Sequence, residues 1–259
     1  MTTVASRLSG RVAVVTGAGT GLGRGIARSL AADGAAVAVL DISASSAEAV
    51  TAELRELGVA SRSYVADVAK REDVDSTMGR VVDDLGRLDI LVNNAGISRI
   101  GPHTHETSDE DWLDSMAVMQ TGVFYCMRAA ARIMIEQASG NIINVSSIRG
   151  LSPAPGRITY SPAKAAVIMM TKIAASEWAR HGIRVNAVAP GFCRTEMHDA
   201  QVASGAFEEQ HYLDTIPVGR FGTPAEVGSL VAYLASDDAA YVTGSCFVID
   251  GGLITVPSG

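Results

Sequence analysis

The sequence predicts an α/β protein built on one doubly wound parallel sheet of about seven strands, with helices on both faces. Short apolar runs rich in valine and isoleucine recur along the chain, segments with helical apolar spacing separate them, and polar or glycine residues end each run. Strands that alternate with helices form a parallel sheet with right-handed connections. Because no low-complexity linker, charge run or internal repeat divides the 259 residues, residues 1–259 are expected to form a single domain.

Each predicted strand is a short apolar run, as expected where helices cover both faces of a parallel sheet. The runs are Val12–Thr16, Ala36–Asp41, a third that ends at Tyr64–Asp67, Leu88–Val92, Ile142–Val145, Ile183–Ala189 and Phe247–Ile249. In such a sheet, ligands bind beyond the carboxyl ends of the strands. The residues that follow these runs are therefore the first candidates for a binding site.

The helices between the strands are predicted from apolar spacing and from their first residues. Ser45-x-x-Glu48 and Thr223-Pro-Ala-Glu226 have the form of a capping box, in which a hydroxyl and a glutamate satisfy free N–H groups at the helix start. A long helix is predicted to begin after Ser108 and to continue to about Gln137.

Composition and charge exclude several classes of protein. The net charge is −7 with no basic block, so neither nucleic acid nor a membrane is expected as a partner. Cys126, Cys193 and Cys246 are scattered, which indicates reduced thiols in a cytoplasmic protein. His103 and His105 lack a third ligand at a standard spacing, so no metal is expected. No apolar run reaches a membrane-spanning length.

The functional interpretation depends on Tyr160 and Lys164, which lie one turn apart on one face if a helix starts there. An ammonium at about 4 Å contributes about 4 kcal/mol at an effective dielectric of about 20, enough to lower the pKa of a phenol by about two to three units. Burial of the phenol would act in the opposite direction. Ser147 ends an apolar run, where its hydroxyl can hold a substrate oxygen beside the phenol. Tyr-x-x-x-Lys also occurs by chance, so its weight comes from its surroundings.

The glycine-dense segment Thr16–Gly23 predicts a dinucleotide site between the first strand and the first helix. Glycines let the backbone turn tightly and approach a pyrophosphate at the helix N-terminus. The spacing differs from G-x-G-x-x-G, so a tight turn that binds nothing stays open as the alternative.

Asp41, at the end of the second strand, can accept hydrogen bonds from both hydroxyls of the adenosine ribose and would repel a 2′-phosphate. No lysine or arginine occurs in residues 18–20 or 42–46 to neutralise such a phosphate. The predicted cofactor is therefore NAD rather than NADP. The alternative is that Asp41 only caps a helix or a turn.

The chain resembles the short-chain dehydrogenase/reductase family over essentially its whole length. The matching motifs, in order, are Thr16-Gly-x-x-x-Gly-x-Gly23, Asp67, Asn93-Asn-Ala-Gly96, Ser147, Tyr160-x-x-x-Lys164, Asn186 with Pro190-Gly191, Thr195, and Asp250-Gly-Gly252. The resemblance implies a Rossmann-type fold and a homotetramer or dimer. It also implies that Tyr160 is the general acid/base, that Ser147 orients the substrate oxygen, and that Lys164 lowers the pKa of the tyrosine and holds the nicotinamide ribose.

The same resemblance implies which residues contact NAD. Asp67 and Val68 would contact the adenine, and Thr195 would contact the carboxamide or the pyrophosphate. The full set is Gly17, Thr20, Gly21, Leu22, Gly23, Asp41, Asp67, Val68, Asn93, Asn94, Ala95, Gly96, Tyr160, Lys164, Pro190, Gly191 and Thr195.

Met119 departs from the family pattern, because the family usually has an asparagine there that helps to hold a water for proton relay from the lysine. A thioether accepts hydrogen bonds only weakly, and Gln120 points about 100° away round the helix. Three interpretations follow: another proton route, a site adapted to an unusual substrate, or a protein that binds NAD with little turnover.

Two segments, Ile97–Glu106 and Phe192–Pro217, are predicted to wall the substrate pocket. The second is long and contains several aromatic residues, so a mobile lid is predicted within residues 192–217.

Two arginines, Arg149 and Arg157, lie between the predicted catalytic serine and tyrosine. With Arg99 and Arg194 they would form a wall for a carboxylate, sulfonate or phosphate of the substrate. Arg157, three residues before Tyr160, is the best single candidate. The alternative is that these arginines are solvated or paired with nearby acids.

Together these features predict an NAD-dependent oxidoreductase that interconverts a secondary alcohol and its ketone, with a small-molecule substrate. A polyol, a hydroxy acid or another anionic alcohol would suit the site. A reductase of 3-oxoacyl thioesters is one alternative, although such enzymes usually take NADPH. A non-catalytic protein that binds or senses NAD is the alternative from another class, and Met119 is the residue that suggests it.

Overall fold

The computed structural model describes residues 6–97, 100–203 and 209–255. Within that part of the chain, parallel strands form one seven-stranded sheet in the order β3-β2-β1-β4-β5-β6-β7. The strands are β1 (Val12–Thr16), β2 (Ala36–Asp41), β3 (Ser61–Val65), β4 (Ile90–Asn93), β5 (Gly140–Val145), β6 (Ile183–Pro190) and β7 (Cys246–Ile249). The predicted parallel sheet is therefore confirmed.

Helices cover both faces of this sheet. They are α1 (Gly21–Ala32), α2 (Ala44–Glu56), α3 (Arg71–Leu85), α4 (Asp109–Met116), α5 (Gly122–Glu136), α6 (Ser161–Trp178), α7 (Glu196–Ala203), α8 (Glu209–Leu213) and α9 (Pro224–Ala235). One apolar layer packs α1, α2 and α9 against the sheet, and the other packs α3, α5 and α6. Alternate residues of β1 supply the two layers, since successive side chains of a strand point to opposite faces. The predicted doubly wound arrangement is confirmed.

The long helix predicted from Ser108 to Gln137 is helical but not uniform. A π-helical turn, Ala117–Thr121, joins α4 to α5. Such turns insert one residue into a helix and often mark functional sites. Among the residues described, no helix is long and apolar enough to cross a membrane.

Of the two predicted capping boxes, one is confirmed and one is wrong. Thr223 and Glu226 exchange both expected hydrogen bonds at the start of α9. At the start of α2 the N-cap is Ser43, whose hydroxyl accepts the N–H of Ser46. The helix starts earlier than predicted because the Asp41 carboxylate accepts the N–H of Ser43 and fixes the entry of the chain.

The third strand also ends earlier than predicted, at Val65 rather than Asp67. Asp67 lies in a turn in which its carboxylate accepts the N–H of Ala69 and its own N–H donates to Asp73. These local hydrogen bonds replace the pairing that a longer strand would make.

The hydroxyl of Thr16 joins the carboxyl ends of β1 and β4. Thr16 is buried, and its Oγ1 accepts the N–H groups of Asn94 and Ala95, each at 3.0 Å. The strand order reverses between β1 and β4, which is where doubly wound sheets bind their ligands. This hydroxyl therefore fixes the backbone on both sides of the crevice.

Replacement of Thr16 by valine should lower the free energy of unfolding by about 2–4 kcal/mol, because two buried N–H groups lose their acceptor. Thr51→Val is the matched control. Thr51 is as deeply buried, but its hydroxyl has no hydrogen-bond partner among the described residues, so its removal should leave stability unchanged or raise it. Urea denaturation measures both, and equal destabilisation by the two variants would contradict the role given to Thr16.

Candidate active site

The turn between β1 and α1 lets a ligand approach the backbone closely. Gly17 and Gly21 have positive φ angles of 61° and 52°, which residues with a side chain rarely adopt. A side chain at Gly23 would collide with the carbonyl oxygen of Gly17. Thr20, the N-cap of α1, makes no capping hydrogen bond with its side chain. The first N–H groups of α1 can therefore bind an anion.

The two asparagines that follow β4 have different roles. The side-chain amide of Asn94 donates to the carbonyl oxygens of Thr16 and Gly17, both at 3.0 Å, and so holds the glycine turn. Asn93 is buried and donates to Oδ1 of Asn144 at 2.8 Å. Asn93 thus supports the sheet and does not face the ligand space.

A cavity of about 830 Å³ lies beyond the carboxyl ends of β1 to β4. Its volume is within the range of ligand sites in proteins. The predicted NAD-binding residues that line it are Gly17, Thr20, Gly21, Leu22, Gly23, Asp41, Asp67, Val68, Asn94, Ala95, Gly96 and Thr195. Pro190 and Gly191 do not line it, and a side chain at Gly191 would meet Asp250.

Some lining residues were not predicted from the sequence. They are Leu40, Ile42, Ala66 and Val118. Ile42 and Ala66 adjoin the predicted Asp41 and Asp67, so they could have been predicted from their position beside a strand end. Val118 lies on the π-helical turn, which apolar periodicity does not reveal.

The Asp41 carboxylate both supports the turn and lines the cavity. Its two oxygens accept the N–H groups of Gly19 at 2.8 Å and Ser43 at 3.0 Å. A carboxylate oxygen accepts more than one hydrogen bond, so these contacts leave capacity for ribose hydroxyls. The structure therefore shows Asp41 in a turn, as the alternative interpretation held, and its contact with a ribose stays a prediction.

The three predicted catalytic residues lie together beside this cavity, although none is among its lining residues. Ser147 is buried at the end of β5 and its Oγ accepts the N–H of Arg149. Tyr160 is the N-cap of α6, and Lys164 lies one turn along that helix. The Lys164 Nζ is buried, donates to the carbonyl oxygen of Val145 at 2.8 Å, and lies 5.7 Å from the centroid of the Tyr160 ring.

Burial and charge act in opposite directions on the tyrosine. Burial raises the pKa of Tyr160, while a hydrogen bond with Ser147 and the positive charge of Arg157 lower it. Burial lowers the pKa of Lys164 to about 8. The sequence indicated Lys164 as the cation that acts on the phenol. Its Nζ lies 5.7 Å and the Cζ of Arg157 lies 5.8 Å from the centroid of the Tyr160 ring, so two cations lie close to the phenol.

Comparison with known proteins identifies the family. A family model described as enoyl-(acyl carrier protein) reductase matches residues 17–254. The chain is 41% identical over 248 residues to the 3-oxoacyl-(acyl-carrier-protein) reductase FabG of Thermotoga maritima, across 96% of this chain and 99% of that protein. The chain belongs to the short-chain dehydrogenase/reductase family.

Solved structures of similar dehydrogenases have the same fold. An NAD⁺-bound xylitol dehydrogenase is 35% identical with a TM-score of 0.89, over 95% of this chain and all (100%) of that one. A gluconate 5-dehydrogenase from Burkholderia cenocepacia J2315, in complex with NADP and tartrate, is 37% identical with a TM-score of 0.90, over 97% of this chain and 98% of that one. Structures with either cofactor are thus similar to this member of the short-chain dehydrogenase/reductase family.

Met119, the departure from the pattern of short-chain dehydrogenases/reductases, is fully buried on the π-helical turn. Its Cγ and the Nζ of Lys164 both lie 3.6 Å from the position that a Cβ on Gly96 would occupy. An apolar thioether side chain therefore packs close to the lysine ammonium, next to a residue that lines the cavity.

Of the arginines of the predicted anion-binding wall, the structure describes three, and Arg194 lines neither of the cavities that Arg149 and Arg157 line. Arg157 lines the large cavity, with its Cζ 5.8 Å from the centroid of the Tyr160 ring. Arg149 is part-buried against Phe192. Arg194 is exposed and pairs with two acids, Asp199 and Glu209, so its inclusion was wrong. Arg99 lies outside the described residues.

The predicted lid contains an aromatic cluster beside the cavity. The Phe192 ring contacts Tyr212 and Phe221, with centroid distances of 4.9 and 6.2 Å, and His198 lies 4.7 Å from Phe221. Phe192, Cys193, Glu196 and His198 line the cavity from this segment. Residues 204–208, which include Phe207, lie outside the described residues, and the movement of a lid stays a prediction.

The buried lysine should make stability depend on pH in a defined window. Burial lowers the pKa of Lys164 from 10.5 to about 8, so between these values the unfolded chain binds more protons and the folded state gains stability as pH rises. Relative to a Lys164→Met variant, the parent protein should gain about 3 kcal/mol of unfolding free energy between about pH 7.5 and about pH 10.5.

Denaturation curves at intervals across this range measure that difference. Lys172→Met is the control, since Lys172 is exposed on the same helix. A difference between parent and Lys164→Met that stays constant with pH would contradict the burial of a titrating ammonium.

Proposed function

We propose that this protein is an NAD-dependent oxidoreductase that interconverts a secondary alcohol, such as a polyol or a hydroxy acid, and its ketone. The observation that carries the proposal is the convergence of Ser147, Tyr160 and Lys164 beside a cavity of dinucleotide size. A phenol next to a hydroxyl and a cation is suited to move a proton to or from an alcohol oxygen.

The residues around the glycine turn fit a nicotinamide dinucleotide. Gly17 and Gly23 line the cavity, and a side chain at either position would collide with neighbouring backbone atoms. The side chain of Thr20 leaves the N-terminus of α1 uncapped. The pyrophosphate would lie on the N–H groups of this turn, the adenosine ribose on Asp41, and the adenine near Asp67 and Val68. When bound, the nicotinamide ring supplies the hydride acceptor or donor.

The residues of the chain would handle the proton and hold the substrate. The Ser147 hydroxyl would hydrogen-bond the substrate oxygen, and the oxygen of Tyr160 would take the hydroxyl proton in oxidation or return it in reduction. Lys164, anchored on the Val145 carbonyl, would hold the nicotinamide ribose and supply positive charge near the phenol. Because burial raises the pKa of the free phenol, oxidation should speed up as pH rises.

NAD is proposed over NADP because of the charges at the end of β2. The carboxylate of Asp41 and the exposed apolar side chain of Ile42 line the cavity there. Neither can balance the charge of a 2′-phosphate, and a carboxylate repels it.

A second candidate function is the reduction of 3-oxoacyl thioesters, because the first relatives are named 3-oxoacyl-(acyl-carrier-protein) reductases. A panel of secondary alcohols with NAD, run beside a 3-oxoacyl thioester with NADH and NADPH, separates the two functions. If the protein binds NAD tightly but turns over no member of the panel, the result would instead favour the hypothesis, suggested by Met119, of a non-catalytic protein that binds or senses NAD.

A homotetramer or dimer is also proposed. Apolar side chains are exposed on the two long helices, Phe124 on α5 and Met169 and Ile173 on α6, and on the edge strand β7 at Val248. A second copy of the chain would cover such surfaces. A cytoplasmic location remains a prediction from the sequence.

Tyr160→Phe should lower kcat by about 10³-fold or more, since the proton acceptor is removed. The Kd for NAD, measured by fluorescence titration, should change by less than about threefold, because the phenyl ring keeps the shape of the site. Tyr241→Phe is the control, as Tyr241 is fully exposed. Full activity in Tyr160→Phe would refute the proposed chemistry.

The double change Asp41→Ser with Ile42→Arg should raise the ratio of kcat/KM for NADP over NAD by about 100-fold or more, because repulsion is replaced by a charge-assisted hydrogen bond. Ile42→Gln, which adds no charge, should leave the ratio near that of the parent. Since Asp41 also supports the turn, the single variants are compared by thermal melting. A parent protein that prefers NADP would overturn the assignment.

A further inference from the structure

Arg157 occupies a position between the acid/base residue and two cavities. It lines both the cavity of about 830 Å³ and a neighbouring cavity of about 370 Å³. Its Cζ lies 5.8 Å from the centroid of the Tyr160 ring, and its charge acts on the phenol. A substrate whose hydroxyl reaches Tyr160 would therefore bring its neighbouring atoms within reach of this guanidinium.

Arg149 places a second positive charge close to the first. It lines the smaller cavity and its Cζ lies 5.9 Å from the centroid of the Phe192 ring, which lines the larger one. Burial lowers the pKa of Arg149, and the charge of Arg157 lowers it further. Two like charges held near each other and partly out of water destabilise each other, and an anion between them relieves that repulsion.

The described lining of the two cavities contains three carboxylates. Those that line the larger cavity are Asp41, Asp67 and Glu196. Asp41 is bound to backbone N–H groups, and Glu196 pairs with Arg24 beside the first turn of α1. The described lining of the smaller cavity contains no aspartate or glutamate. Within the described lining, the carboxylates therefore belong to the larger cavity, while Arg149 and Arg157 line the smaller one.

We infer that the secondary alcohol which this protein oxidises carries an anionic group close to its carbinol carbon, and that Arg157, assisted by Arg149, binds this group. The inference rests on the proposed oxidoreductase function and narrows its substrate class to short hydroxy carboxylates, sulfonates and phosphate monoesters. Guanidinium groups bind the planar or tetrahedral oxygens of such anions through paired hydrogen bonds. Arg157 is a specificity residue here, and Arg149 reinforces its charge.

The test compares matched pairs of alcohols with NAD. A short hydroxy acid is paired with its amide, and a hydroxyalkyl sulfonate and a phosphate monoester of a short diol are each paired with a neutral alcohol of similar shape. The parent protein should prefer at least one anion over its neutral partner by about 10- to 100-fold in kcat/KM, the range expected for a charged hydrogen-bonded contact. Comparison of the three anions identifies which group the site accepts.

Arg157→Gln should lower this preference by about tenfold or more, mainly through KM, and Arg149→Gln should lower it less. Because Arg157 also acts on the phenol, its loss will slow the oxidation of neutral and anionic substrates alike. The ratio of kcat/KM for the anion to that for its neutral partner therefore separates anion binding from the effect on the phenol. Arg157→Lys, which keeps the charge without the paired donors, should retain part of the preference. Arg194→Gln is the matched control, since Arg194 is already paired with acids, and it should leave the ratio unchanged.

The possible outcomes distinguish this inference from the proposed function. Neutral alcohols oxidised as well as all three anions would overturn the inference and leave the oxidoreductase function standing. If no alcohol yields NADH, the proposed function fails, and calorimetry of the Tyr160→Phe protein with NAD and each anion then decides the inference. If the Tyr160→Phe, Arg157→Gln double variant binds an anion about tenfold or more weakly than Tyr160→Phe alone, the result supports the inference. If no anion binds, or if the double variant binds it equally well, the inference is overturned.

Discussion

The geometry of the site depends on how the carboxyl ends of β1 and β4 are held together. The Thr16 hydroxyl accepts two N–H groups that follow β4, and the Asn94 amide donates to two carbonyl oxygens at the end of β1. A side chain at the end of β1 thus accepts from the backbone after β4, and a side chain after β4 donates to the backbone at the end of β1. Each of these two segments thereby satisfies polar groups of the other. The turn that contains Gly17 and Gly23, where side chains would collide with backbone atoms, is thereby kept in one conformation beside the cavity.

Desolvation determines the resting charge of the acid/base site. The same burial that brings Tyr160 and Lys164 together raises the pKa of the phenol and lowers that of the ammonium, because both charged forms lose water. The Lys164 ammonium and the Arg157 guanidinium both lie within 6 Å of the centroid of the Tyr160 ring, and the charge of Arg157 lowers the pKa of the phenol. The free protein thus favours the neutral phenol, and oxidation of an alcohol requires further positive charge at the site.

Much of the fold and of the cavity lining was predictable because it depends on local pattern. A parallel strand covered on both faces must be apolar, and the residues around its carboxyl end lie at the ligand edge of the sheet, so Asp41, Asp67 and Gly96 could be predicted from their positions. Position alone did not exclude Asn93 and Pro190, which do not line the cavity. The N-cap of α2 was not predicted correctly, since Ser43, Ser45 and Ser46 are all suitable capping residues. The Asp41 carboxylate, which bonds the Ser43 N–H, decides among them.

Contacts between residues far apart in the chain explain what could not be predicted for Arg194 and Lys164. Arg194 was grouped with the substrate residues, but α7 and α8 bring Asp199 and Glu209 to it, and no spacing in the sequence signals the second contact. The direction of the Lys164 side chain depends on a carbonyl of β5, nineteen residues away in the chain. Arg157 differs from both, because it lies within one turn of Tyr160 and its effect on the phenol follows from that short separation.

The two effects of Arg157 cannot be independent. Its charge lowers the pKa of Tyr160 in the free protein, and an anion bound to the guanidinium would cancel part of that charge. The phenol pKa would then rise, which favours the protonated tyrosine that reduction of a ketone requires. In the direction of oxidation, the Lys164 ammonium and the positive ring of the oxidised cofactor must supply the compensating charge. An anionic substrate would therefore make the protonation state of the tyrosine depend more strongly on the redox state of the bound cofactor than a neutral substrate would.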